Sequence, residues 1–128
     1  MSTTTEPVAA EKVVKEYKGG CHCKKFQFEF THEALDTSPV ISCNCTICNQ
    51  RGYLLIFVPA ADFKPTEGSL DDLSKYEFGK KHLVHRFCSN CGCGVLCTGA
   101  GTVAVNARAI EGLDTDKLTL KHYDGLSL

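Results

Sequence analysis

Three cysteines fall within six residues at Cys43-Asn44-Cys45-Thr46-Ile47-Cys48. Thiolate is a soft donor suited to Zn²⁺, and three of them leave one tetrahedral position unfilled, the arrangement that separates catalytic from structural zinc. The spacing predicts an open zinc site at Cys43, Cys45 and Cys48. Free cysteine is also a small buried hydrophobe, which accounts well for one such residue and poorly for three so close together. Cys43 and Cys45 are too near in sequence to span a disulfide comfortably.

Two further pairs, Cys21-x-Cys23 and Cys88-x-x-Cys91, come from opposite ends of the chain. A closed Cys₄ site needs two ligand loops brought together, and binding then contributes folding free energy. These four are expected to form a structural zinc centre, giving two zinc ions per chain. The same thiols permit another partition, a single zinc ribbon joining Cys43, Cys45 and Cys48 to Cys88 and Cys91.

The elements that must carry these motifs read as strands. The polar, Thr-rich residues 1–12 form an expected flexible tail, and residues 13–128 an expected single domain. Val13, Val14 and Tyr17 lead to Gly19-Gly20, read as a turn ahead of Cys21, and Phe26, Phe28 and Phe30 alternate with Gln27 and Glu29 as in a half-buried strand. Val40-Ile41-Ser42 delivers the three-thiol motif, residues 49–52 make a helical turn or a loop, and Tyr53 to Val58 is an apolar run ended by Pro59. Residues 60–72 read as turns. Strands are expected again around Leu73 to Phe78, His82 to Phe87, Val95 to Cys97, Thr102 to Asn106 and Lys117 to Lys121. No window carries helical periodicity, so the class is mainly β, built of short antiparallel strands stapled by zinc.

In 128 residues, 14 basic and 15 acidic side chains give a net charge of -1, so no global field draws in nucleic acid or an anionic membrane. An odd count of nine cysteines at metal-type spacings, behind an N-terminus without a basic start and apolar run, fits a reducing compartment, the cytosol by default with the nucleus as the alternative. No segment approaches a membrane span. Exposed strand edges leave room for a homodimer.

Gly20-Cys21-His22-Cys23, Cys43 to Cys48, Phe87-Cys88-Ser89-Asn90-Cys91-Gly92 and Val105-Asn106-Ala107-Arg108 resemble, in order and spacing, the signatures of the glutathione-dependent formaldehyde-activating enzyme family, which shares its domain with centromere protein V and has an Mss4-like β-tent fold. The likeness runs from about Val14 to Tyr123. It implies structural zinc at Cys21, Cys23, Cys88 and Cys91, catalytic zinc at Cys43, Cys45 and Cys48, and glutathione as co-substrate. Asn44 stands where many members carry His, and Cys93 where a small residue such as Thr is usual.

Three thiolates quench much of the zinc charge, so the site favours a soft sulfur in its fourth position over activation of water. With the resemblance, this predicts a carbon-sulfur lyase joining glutathione to a small electrophile, or parting them, with formaldehyde giving S-hydroxymethylglutathione. The two carboxylates of glutathione call for cations. Arg51, three residues after Cys48, leads the candidates, followed by Arg86, Arg108, Lys80 and Lys81, each of which also reads as a solvated surface charge. His22 is expected at the surface, His82 and His85 on opposite faces of a strand, and Tyr53 and Tyr76 in a cleft or the core. Cys93 and Cys97, four apart, should share a strand face as packing residues, with Cys93 the one placed to approach the open zinc. A second class of reading is a non-catalytic zinc-stapled β domain binding a protein or nucleic-acid partner, for which Lys80, Lys81, His82, His85 and Arg86 form the one basic cluster.

Overall fold

The first hairpin pairs β1 (Val14–Gly20) with β2 (Gln27–Glu33) in a computed structural model that describes residues 13–77 and 83–125. The tail expected over residues 1–12 and the residues Lys80, Lys81 and His82 lie outside the described residues. Alternation in β2 sends Phe28 and Phe30 inward, where Phe28 stacks on Phe63 at 5.3 Å and Phe30 on Tyr17 at 5.5 Å. Phe63 begins β5 (Phe63–Glu67), which completes a three-stranded sheet in the order β1-β2-β5. Sequence reading takes this stretch for turns, because Pro65 and Gly68 punctuate it. Pro65 is tolerated because β5 is an edge strand, where a missing N–H breaks no ladder.

The chain then supplies β3 (Val40–Cys43), helix α1 (Thr46–Arg51), β4 (Leu55–Pro59), β6 (Ser74–Tyr76), β7 (Val84–Phe87), β8 (Gly94–Gly99), β9 (Thr102–Asn106) and β10 (Leu120–Tyr123). Seven strands form a second sheet in the order β10-β3-β4-β9-β8-β7-β6. All its pairs are antiparallel except β10 with β3, a parallel pairing that the expected all-antiparallel tent did not include. The fold is otherwise the mainly β architecture anticipated.

The middle of this sheet is buried on both faces. Leu54, Ile56, Val58, Val103 and Val105 pack with Phe26, Phe28 and Phe30 in the larger core between the sheets. Tyr53, Leu55 and Ala104, pointing the other way, join Cys97, Ile47 and Cys48 in a smaller core capped by α1. The alternation of β4 and β9 therefore divides the molecule into two compartments, each next to one cysteine cluster.

Gly19 and Gly20 do not form the expected turn. Both end β1, where Gly19 bridges to Ile110 so closely that a Cβ would strike the backbone of Ala109. The turn comes afterwards, closed by Lys24 N–H to Cys21 O at 3.1 Å.

Candidate metal centres

Cys21 follows β1 and Cys88 follows β7, so the β1–β2 turn and the β7–β8 knuckle each contribute two thiols to one cluster. The ligand sulfurs of Cys21, Cys23, Cys88 and Cys91 lie within 4.8 Å of one another, with Cys21 to Cys23 and Cys23 to Cys88 both 3.6 Å apart. A tetrahedral ion with metal–sulfur bonds of about 2.3 Å needs sulfurs about 3.8 Å apart, so the spacing fits Zn²⁺. Backbone donors point at the sulfurs: Phe26 N–H at Cys21, and Asn90 and Cys91 N–H at Cys88, each at 3.4 Å. The Asn90 side chain and the Lys25 N–H hold the Cys23 thiol down at about 6, the condition of a ligand ready to bind as thiolate. The knuckle closes with Cys88 N–H on Cys93 O at 3.0 Å and Gly92 N–H on Cys88 O at 2.8 Å.

Cys43 ends β3, Cys45 caps α1, and Cys48 lies in the first turn of that helix, buried against the smaller core. Their sulfurs also lie within 4.8 Å of one another, and among the described residues no fourth His, Cys, Asp or Glu ligand atom joins the group. Cys45 N–H donates to Cys43 Sγ at 3.4 Å. Burial drives the Cys48 thiol well above its ordinary value, and the neighbouring Cys45 and Cys43 sulfurs add to the effect. Ionising all three sulfurs at once in this half-buried cluster requires a compensating cation, and a divalent metal could supply it. The two clusters are separate, so the single-ribbon partition is not the one the fold adopts.

The model of the family described as glutathione-dependent formaldehyde-activating enzyme matches residues 16–120. The chain belongs to this family. A crystal structure of a Rhodobacter sphaeroides protein, 26% identical, superposes with a TM-score of 0.70 over 83% of this chain and 99% of the other.

The cationic candidates of this family member are used differently. Arg51 leaves α1 beside the trio, donates from Nη1 to the Tyr53 hydroxyl at 3.0 Å, and lines a cleft of about 280 Å³ with Thr46, Ile47, Gln50 and Tyr76. Arg86 instead straps strands together, donating to Thr98 Oγ1 at 3.0 Å and Leu70 O at 3.1 Å. Arg108 donates from Nε to Gly52 O at 2.8 Å, anchoring the C-terminal end of α1. Asn106, in the same signature, donates to Gly94 O at 2.9 Å and accepts from Arg108 N–H at 3.1 Å. These two residues of the fourth family signature thus brace the knuckle and the helix that carry the cysteines.

Tyr53 proves to be core and Tyr76 half-exposed in the cleft, while His22 is exposed and His85 buried. The expected placement of Cys93 and Cys97 is overturned: Cys93 packs against the larger core and Cys97 sits in the smaller one with Cys48. The reason is a register shift between Arg86 and Phe87, which pair with Leu96 and Gly94 and leave Val95 as an extra residue on β8. An inserted residue inverts the alternation, so positions four apart no longer share a face. Cys97 is therefore the cysteine that approaches the trio.

Sequence reading also missed the neighbours on the other side. Ser42, Cys43, Asn44 and Asn49 form a cleft of about 320 Å³ with His122, Tyr123 and Asp124, and Asn44 Nδ2 donates to Asp124 Oδ1 at 3.1 Å. Nothing in the pattern of residues 120–124 signals this contact, which depends on parallel pairing of β10 with β3.

Proposed function

We propose that this protein is a zinc-dependent carbon-sulfur lyase of the S-(hydroxymethyl)glutathione synthase type, acting on glutathione adducts of formaldehyde or another small electrophile. The observation that carries the reading is the contrast between four converging thiols in one centre and three in the other. In this reading Cys21, Cys23, Cys88 and Cys91 hold a structural ion that clamps the first hairpin to the knuckle. Cys43, Cys45 and Cys48 hold the catalytic ion, and Arg51 meets a carboxylate of glutathione. Residues 13–128 act as one domain behind a tail of residues 1–12. Nine unpaired thiols suit the reducing cytosol.

Zinc bound by the trio would supply Lewis-acid stabilisation of the substrate sulfur as thiolate. The chain's own part is to fix that geometry: Cys48 anchors the trio to the sheet, and the Cys45 N–H orients the Cys43 sulfur. In the synthetic direction a sulfur lone pair forms the S–C bond to the carbonyl carbon, the C=O π pair moves to oxygen, and the proton lost by the thiol ends there. Reversal breaks the S–C bond and returns that proton to sulfur.

Turnover of S-hydroxymethylglutathione together with zinc analysis tests the reading. About two zinc ions per chain are expected, falling to about one in Cys48→Ser, with activity down at least about 100-fold in Cys45→Ser. Full activity in Cys45→Ser with the middle zinc absent would overturn it.

A further inference from the structure

We propose that Tyr53 and Phe87 are positioning residues that hold Arg51 as a carboxylate anchor beside α1, so that the site selects thiol substrates bearing a free carboxylate over neutral ones. The inference deepens the lyase reading, from which it takes the presence of a substrate sulfur at the trio.

A surface arginine ordinarily spreads over many rotamers, and ordering it on a ligand costs affinity. Arg51 is already ordered. Its Nη1 donates to the Tyr53 hydroxyl at 3.0 Å, and its guanidinium carbon lies 5.4 Å from the Phe87 ring centroid and 5.9 Å from that of Tyr53, both within cation–π range. A guanidinium has five N–H donors, so this bond leaves others for a planar anion.

The two aromatic residues are themselves fixed by the four-cysteine knuckle. Phe87 and Gly94 are cross-strand partners of β7 and β8, and they bracket the ligand loop from Cys88 to Cys93. The buried Tyr53 phenol rests on Gly94, where a Cβ would fall on the hydroxyl. One metal centre therefore shapes the support on which the other centre's cation stands. Arg51 follows Cys48 by three residues, just under one helical turn of about 5.4 Å, and an extended tripeptide spans about 10 Å. A tripeptide thiol with its sulfur at the trio can thus bring a carboxylate into the cleft of Thr46, Ile47, Gln50, Arg51 and Tyr76.

The test uses zinc-loaded full-length protein and γ-glutamyl-alanyl-glycine, which keeps both carboxylates and lacks sulfur, against its dimethyl ester, with affinities measured by calorimetry. Wild type should bind the acid about tenfold more tightly than the ester. Tyr53→Phe, which keeps the ring and loses the hydroxyl, and Arg51→Lys, which keeps the charge and loses the fork, should shrink that ratio to below about threefold and leave ester binding unchanged. Phe87→Leu should do the same and serves if Tyr53→Phe does not fold. Equal binding of acid and ester by wild type overturns the proposal, as does an undiminished ratio in Tyr53→Phe and Phe87→Leu at full zinc content, or an equal loss for both ligands. An Arg51-dependent preference without turnover of any glutathione adduct would sink the lyase reading and leave this inference standing. Turnover without the preference would do the reverse.

Discussion

The Cys97 sulfur lies 3.1 Å from Nδ1 of His85, both side chains buried beneath the three-cysteine centre. Burial pushes the Cys97 thiol up to about 12 and holds the His85 imidazole below its usual value, an effect to which the Arg51 charge adds. Both are neutral near pH 7, and the imidazole tautomer sets which of the two carries the shared proton.

A pH dependence of stability follows. The unfolded chain takes up a proton on His85 at about pH 6.5, whereas the folded chain resists it until lower pH. Stability should therefore decline as pH falls below about 6.5, over the interval down to the depressed folded value. Urea unfolding at several pH values should give a steeper decline in wild type than in His85→Gln. Zinc-ligand protonation contributes equally to both proteins, so equal slopes would show that His85 does not titrate this way.

Gly125 packs against the three-cysteine centre: a Cβ there would lie 2.5 Å from Cys43 Sγ and 3.3 Å from Cys45 Cβ. Gly125→Ala should displace the Cys43 sulfur and weaken zinc at the trio by about 10- to 100-fold, the range seen when the surroundings of a ligand are disturbed. The quartet should keep its ion. Competition with a chelator reads this as loss of one zinc at a lower chelator concentration, and retention of both would contradict the contact.

Asn106 braces both motifs from a buried position, bonding to Gly94 O and Arg108 N–H. Asn106→Ala leaves the Gly94 carbonyl without that donor and should cost about 1–3 kcal/mol in denaturant unfolding. A change below about 0.5 kcal/mol would mean that water replaces the amide without loss.

Local pattern carried much of this molecule. Alternation along Phe26 to Phe30 is enough to place a half-buried strand, because the two-residue side-chain period is a property of the backbone. Cys-x-Cys and Cys-x-x-Cys spacings reveal ligand loops for a similar reason, since a knuckle positions its donors with its own backbone. The partition into four and three thiols was legible as the more natural pairing, and the fold adopts it.

What stayed hidden depended on register and on chain segments far apart. One extra residue at Val95 sends Cys97 toward the trio and Cys93 away from it, and no residue type announces a bulge. The parallel pairing of β10 with β3 brings His122 and Asp124 beside Cys43 from about eighty positions away. The roles of the arginines divided in the same manner: all three sit near a motif in sequence, yet Arg86 and Arg108 are spent on backbone carbonyls while Arg51 is held between aromatic rings at a cleft. Which cysteines could hold a metal is written in short-range spacing, but what surrounds them follows from strand pairing, where a shift of one residue turns a side chain to the opposite face.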